Sequence, residues 1–351
     1  MNLSNLLSLA LGLVIFSFLS TSVLVVPFID LLYKLKLTRR KEAVGSNRKS
    51  LFDKLHDHKA GTPIGGGILL IVVVTVLFVF IFSFVSRLGV YIQSSFSLRN
   101  ELIVIFFTFL SFGAIGFLDD YVKIFGKPKP GNMGSVFGLS RTRKLVLQII
   151  FAFVVAGMLH FLLGIGILHI PYFDTVINLG ILYIPFAAFV IVFFTNAFNF
   201  TDGLDGLASG LLMVYLFAYI IIAVNNLDTP MFIFISIWLG AVIAFLYFNV
   251  FPARIFLGDA GALSFGAMIA VIGLIIGNVA TLFIIGGIFV IEAASSAIQI
   301  LSYKFRGKKF FPLAPIHHTF LAMGWEEPKI VMRAWLAGIM LAVFGLWLAA
   351  I

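Results

Sequence analysis

The sequence predicts an all-α integral membrane protein of about ten transmembrane helices, with any active site in its cytoplasmic loops. Three observations predict it. Of 351 residues, 61% are hydrophobic and only 11% charged, more apolar surface than a soluble fold of this length encloses. Several apolar runs reach about 20 residues, the length that crosses a bilayer, and they are continuous rather than alternating, which selects helices over barrel strands. Lysine and arginine gather in three stretches, 34–59, 123–144 and 304–333, as they do in loops that stay on the cytoplasmic side.

The first run, 8–33, has no basic n-region and no small-residue cleavage site, so it is predicted to remain as a span. Further spans are expected at 63–86, 101–118, 145–168, 179–198, 206–224, 231–250, 262–278, 280–302 and 333–351, the eighth and ninth parted only by Gly277-Asn278. The basic loops follow spans one, three and nine. All then lie on one side, the cytoplasmic side of a multi-pass inner (plasma) membrane protein, and both termini lie outside. Residues 126–138 (GKPKPGNMGSVFG) read as a flexible linker. No soluble domain or repeat interrupts the chain, so residues 1–351 are expected to form one transmembrane domain. The net charge of +9 serves as a topology signal and attracts anionic headgroups or an anionic substrate; no nucleic-acid partner is expected. The absence of cysteine excludes disulfides, thiolate metal sites and a cysteine nucleophile.

With only 15 acidic residues, each position carries weight. Asp119 and Asp120 end span three in GFLDDYVK, Asp202 and Asp205 follow span five in NAFNFTDGLDGLA, and Asp259 follows span seven in PARIFLGDAGALSFG. The topology brings all five to the cytoplasmic face, where they repel unless positive charge sits among them. A divalent ion is the economical source, and oxygen ligands without cysteine favour Mg²⁺. Neighbours on a helix point about 100° apart, so Asp119 and Asp120 are expected to do different work. Asn196, Asn199, Asp202 and Asp205 drift by roughly 60° per step on a regular helix and align better if the segment unwinds at Gly203 and Gly206. The plainer alternative is that Asp205 caps span six. His317 and His318, in PLAPIHHTF, suit metal binding, phosphate binding or acid–base work, or are simply solvated. Glu292, within span nine, either pairs with another span or lines the cavity, a structural role being at least as apt as a catalytic one. GTPIGGGILL opens span two and fits either a phosphate cradle or close helix packing.

Together DDYVK, NAFNFTDGLDGLA, FPARIFLGDAGAL and PIHHTF resemble the polyprenyl-phosphate N-acetylhexosamine-1-phosphate transferases, in order and over nearly the whole chain. GTPIGGG and APIHHTFLAMGWEEPKIVMRAW favour the branch of that family whose donor is UDP-MurNAc-pentapeptide. The resemblance implies transfer of phospho-MurNAc-pentapeptide to undecaprenyl phosphate in the bilayer, with UMP and lipid I as products for peptidoglycan synthesis, Mg²⁺ as cofactor and a cytoplasmic active site. The family also accommodates homodimers. By motif it implies that Asp259 is the Mg²⁺ ligand, that Asp119 and Asp120 are the acidic pair, and that Lys144 approaches the diphosphate. It places Asn196, Asn199, Asp202 and Asp205 on the nucleotide side with Lys59, assigns uracil contacts to Phe256 and Asn249, and matches His317 and His318 to the histidine motif. Two departures stand out. The family's three histidines followed by Phe-Glu become His317, His318, Thr319, Phe320 and Leu321, and GTPTMGG becomes GTPIGGG. They leave room for a GlcNAc-1-phosphate transferase. A cation transporter is the reading from another class, although its acids belong at mid-membrane depth and these lie mostly at span ends.

Overall fold

The computed structural model describes residues 3–39, 59–85, 92–125, 139–170 and 175–350. The linker expected at 126–138 lies outside these described residues. The described helices are α1 (Leu3–Lys34), α2 (Gly66–Val85), α3 (Leu98–Phe125), α4 (Arg141–Phe161), α5 (Tyr183–Thr201), α6 (Leu207–Asn225), α7 (Thr229–Asn249), α8 (Gly258–Ile276), α9 (Val279–Ile285), α10 (Gly287–Arg306), α11 (Ile316–Ala322) and α12 (Glu327–Ala350). Ten of them are long and apolar enough to span a membrane. They match the ten expected runs, and the chain is an all-α, multi-pass membrane protein.

The boundaries differ in ways that matter for function. Span three does not stop at 118: α3 runs to Phe125, so Asp119 and Asp120 lie on helix rather than at its end. Span four ends at Phe161, and part of the segment after it forms an antiparallel hairpin, β1 (Ile167–Ile170) with β2 (Thr175–Asn178), registered Ile167 opposite Asn178. Span nine is two helices. Asn278 caps α9, its Oδ1 accepting from the Thr281 N–H at 3.0 Å, and Gly286 separates α9 from α10. The last part of α10 carries exposed Ile300, Tyr303 and Phe305.

The centre of the bundle is α8, in which every residue from Ala260 to Ile275 is buried. Lipid gives helices no hydrophobic reason to associate, so close packing and interhelical hydrogen bonds must hold them. Both are present. A Cβ on Gly116 of α3 would overlap the Asp259 backbone, and one on Gly67 of α2 would overlap Gly261, so α2 and α3 reach α8 only through glycine. Ser264 Oγ of α8 donates to the Phe109 carbonyl of α3 at 2.6 Å, and Tyr215 of α6 donates to Ile269 at 2.8 Å. Rings of Phe109, Phe234, Trp238 and Phe265 interlock edge-on and stacked across α3, α7 and α8, 5.0–5.9 Å apart. The glycines of GTPIGGG therefore serve packing. The Gly65, Gly66 and Gly67 N–H groups all donate to the carbonyls of Phe256 and Leu257, which leaves no cradle for a phosphate.

Candidate active site

The C-terminal ends of α3 and α5 and the N-terminal ends of α4, α8 and α12 meet at one end of the bundle, and nearly all the polar groups singled out above gather there. Asp119 and Asp120 part company, as their angular separation requires. Asp119 Oδ2 is 3.1 Å from Lys123 Nζ, one turn on, and 3.0 Å from Lys144 Nζ, while its Oδ1 accepts from the Leu139 N–H at 2.8 Å. Asp120 turns the other way. Its Oδ2 accepts from the Ala260 N–H at 3.0 Å, so it serves an unsatisfied donor in the first turn of α8.

Asp259 also lies in that first turn, where the helix dipole favours a negative group. Lys144 Nζ is 2.8 Å from its Oδ2, Lys123 Nζ bonds the same oxygen, and Asn199 Nδ2 donates to Oδ1 at 2.9 Å. Lys144 is held by the start of α4, where Ser140 Oγ accepts from the Arg143 N–H at 3.3 Å. Two carboxylates thus face two ammonium groups. The positive charge demanded by the converging acids comes, in this arrangement, from Lys123 and Lys144.

The helix does break where the alignment of Asn196, Asn199, Asp202 and Asp205 asked for it. Residue Thr201 ends α5, and Gly206, at φ +78°, precedes α6. Asn196, still on the helix, turns away to α4, donating to Gln148 Oε1 at 2.8 Å. Asp202 caps α5; burial first, then the nearby Asp259 charge, pushes its carboxyl up to about 7. Asp205 does not cap α6. It accepts from Lys59 Nζ at 2.6 Å and from the Ala253 N–H at 2.9 Å. Lys59 also meets Glu327 Oε1 at 2.5 Å, and the same oxygen accepts from the Asp205 N–H at 2.6 Å. All three side chains of this clasp are buried. Trp335 Nε1 adds a bond to the Gly206 carbonyl at 3.1 Å, so α12 braces the turn at two points.

Phe256 is half-buried. Its backbone pairs with Pro63, and the Arg39 guanidinium lies over its ring, 5.8 Å from the centroid. Asn249 is the other residue to which the family motif assigns a uracil contact. It is buried, its Nδ2 donates to the Ile255 carbonyl at 2.9 Å, and its Oδ1 accepts from Ser209 at 2.6 Å. It shapes the loop that presents Phe256. His317 and His318 are buried rather than solvated, with ring centroids 4.0 Å apart. His317 Nδ1 lies 2.9 Å from Glu292 Oε2, which brings that acid into the site from below. Thr319 Oγ1 donates to the Leu313 carbonyl, so the residue at the third histidine position ties down its own loop.

Residues 102–277, from α3 to α8, match the model of glycosyl transferase family 4. Similar proteins called phospho-N-acetylmuramoyl-pentapeptide-transferase extend the likeness further. The one from Bacillus pumilus is 34% identical over 95% of this chain and 96% of its own. That of Bacillus subtilis is 35% identical over 88% and 90%, and that of Clostridium perfringens 37% identical over 91% and 90%. The chain belongs to glycosyl transferase family 4. It is thus a transferase, and the segment matched to family 4 contains Asp119, Asp120, Lys144, Asn199, Asp202 and Asp259.

Lys123 and Glu327, to which the sequence assigned no role, also stand in this cluster. Lys123 was legible, since it follows Asp119 at the helical spacing of four that pairs opposite charges. Glu327 was not, because its partners lie 122 and 268 residues away. A hard cation suits the donor set. Among the described residues no three acids or histidines form a ready-made cage, but Mg²⁺ is ordinarily bound by one or two carboxylates with substrate phosphates completing its shell, and Asp259 beside Asp119 offers those carboxylates.

Proposed function

We propose that this chain transfers phospho-MurNAc-pentapeptide from its UDP carrier to undecaprenyl phosphate, releasing UMP and forming lipid I for peptidoglycan. The observation that carries the reading is the junction of Asp119, Lys123, Lys144, Asn199 and Asp259 where four helix ends converge. Phosphoryl transfer asks little covalent chemistry of a protein and much positioning and charge neutralisation. Lys123 and Lys144 can exchange their carboxylate partners for the oxygens of a diphosphate and offset the charge that builds on departing UMP. Asp259, with Asp119 beside it, would hold Mg²⁺, which when bound supplies Lewis-acid charge to those oxygens. The name of the relatives, phospho-N-acetylmuramoyl-pentapeptide-transferase, supports the pentapeptide donor.

The nucleotide belongs beside the turn at 202–206, with Asn199 and Asp202 on one side and the exposed part of the Phe256 ring available for stacking on the base. The clasp formed by Lys59, Asp205 and Glu327 fixes the shape of that turn. Undecaprenyl phosphate enters from the lipid and attacks the sugar-linked phosphorus directly, because it is already an anionic nucleophile. The site faces the cytoplasm, where UDP-sugars are, in the inner (plasma) membrane, with both termini outside. A transport reading finds little support: Glu292, the one acid deep within a span that suggested a path, is bonded to His317.

The test is UMP release from UDP-MurNAc-pentapeptide by purified protein, with and without undecaprenyl phosphate and Mg²⁺, beside the same assay with UDP-GlcNAc. Release that needs the lipid, the metal and the pentapeptide donor is expected. Release from UDP-GlcNAc alone would reassign the substrate, and release from neither would remove the activity.

A further inference from the structure

Beneath the histidine motif lies a buried acid that neither the acid–lysine cluster nor the nucleotide turn uses. Glu292 is 3% exposed and His317 1% exposed, a depth at which a carboxylate persists only with partners. Its Oε2 lies 2.9 Å from His317 Nδ1 and 3.5 Å from the His317 backbone N–H. A carboxylate accepts hydrogen bonds, so the Nδ1 that faces it is the donor, and in the neutral ring Nε2 then holds the lone pair. That Nε2 is buried and has no hydrogen-bond partner among the described residues. It points at the turn between α5 and α6, for a Cβ on Gly203 would strike it. The placement is reinforced from the same helix face: Ser295 Oγ accepts from the Ile316 N–H at 3.0 Å and donates to the Glu292 carbonyl at 2.8 Å, pinning the start of α11 to α10.

We propose that Glu292 is a positioning residue for the transfer reaction: it locks His317 in the Nδ1–H tautomer and aims the Nε2 lone pair at the 202–205 turn, where it accepts a hydrogen bond from a hydroxyl or N–H of the bound sugar nucleotide. This rests on the reading of the site as a sugar-nucleotide transferase. Gly203 lies directly against Nε2, where a Cβ would clash, so the glycine lets the ring and the turn meet. Such positioning explains why an acid is kept inside a span: a carboxylate behind a histidine fixes ring orientation and tautomer, and loss of such a partner ordinarily costs tenfold or more in activity.

The experiment is a double-mutant cycle on UMP release, paired with ¹⁵N-histidine spectra of the detergent-purified protein. Glu292→Leu, which removes the acceptor, is expected to lower kcat/KM for the donor about tenfold or more. Glu292→Gln, whose amide oxygen can still accept, should lose less and guards against a variant that fails to fold. In a His317→Ala background neither change should alter the rate by more than about twofold, because the residue being positioned is gone. The wild-type spectrum should show His317 protonated at Nδ1, and Glu292→Leu should lose that signature. A wild-type rate for Glu292→Leu, an equal loss in the His317→Ala background, or an Nε2–H tautomer in the wild type would each overturn the proposal. The spectra read the tautomer without turnover, so a protein that released no UMP would refute the transferase activity and still leave the pairing decided.

Discussion

Asp202 shows how a single side chain couples the site to pH. Its carboxyl rises from 3.8 to about 7, through burial and then through the Asp259 charge. The sign follows from proton counting. Between those two values the unfolded chain has released the proton and the folded chain has kept it, so stability falls as pH rises across that window and levels off above about 7. Asp202→Asn removes this slope. Its melting temperature in detergent should gain on that of the wild type between pH 5 and pH 7, and parallel curves would mean that Asp202 titrates normally. Asp259 is the residue on which the charges converge. Asp259→Ala should lower UMP release about a hundredfold or more while the protein still elutes as a folded species, since Asp120 and not Asp259 bonds the Ala260 N–H. Substantial Mg²⁺-dependent release by that variant would count against the centre. At the histidine motif, Thr319→Ala should lower thermal stability and leave kcat within about twofold, because its hydroxyl bonds only its own loop, whereas His318→Ala should impair turnover more. Equal, undiminished rates for both would make the motif a bystander.

Among elements, the clasp decides whether three separated segments act as one site. Lys59 stands before α2, Asp205 in the turn after α5, and Glu327 at the start of α12. Glu327→Ala leaves a buried ammonium with one counter-charge and the Asp205 N–H without its acceptor. Removing one member of such a buried pair costs about 3 kcal/mol, so a clear fall in melting temperature is expected, together with a raised KM for the UDP-sugar. An unchanged melting temperature would show that α12 does not hold the turn. The clasp also marks the limit of what the sequence makes legible. The ten apolar runs are read from length alone, because a bilayer enforces a minimum that few other constraints imitate. Asp119, Asp259, Lys144 and Asn199 come together as expected, since topology puts them all on one end of the bundle. Glu327 escapes notice because a partner 268 residues distant leaves no local trace. Asn249 receives its uracil contact from the family motif alone, and only packing shows both ends of its amide bonded within the protein. The separation of α9 from α10 at Gly286 is equally silent, for Gly286-Gly287 inside an apolar run reads as helix contact as readily as a break.

For the molecule as a whole, the proposed transfer turns on sidedness, because its two substrates would have to meet at one membrane face. Helix alternation puts the ends of α3 and α5 and the beginnings of α2, α4, α8 and α12 together, with the hairpin β1–β2 at the opposite end. The basic segment that ends α10 and follows it, with Lys304, Arg306, Lys308 and Lys309 exposed, belongs to the site end, and the bias of such charge to the cytoplasmic side makes the proposed orientation testable. The chain contains no cysteine, so single introduced cysteines report without background. Lys309→Cys, on the basic segment, should resist a membrane-impermeant maleimide in intact cells and react once the cells are opened. Val176→Cys, exposed on the hairpin, should react from outside in both cases. Ready labelling of Lys309→Cys in intact cells would invert the topology and separate the charge cluster from its cytoplasmic nucleotide. The transfer reaction could not then be assigned to this end of the bundle, whatever its geometry.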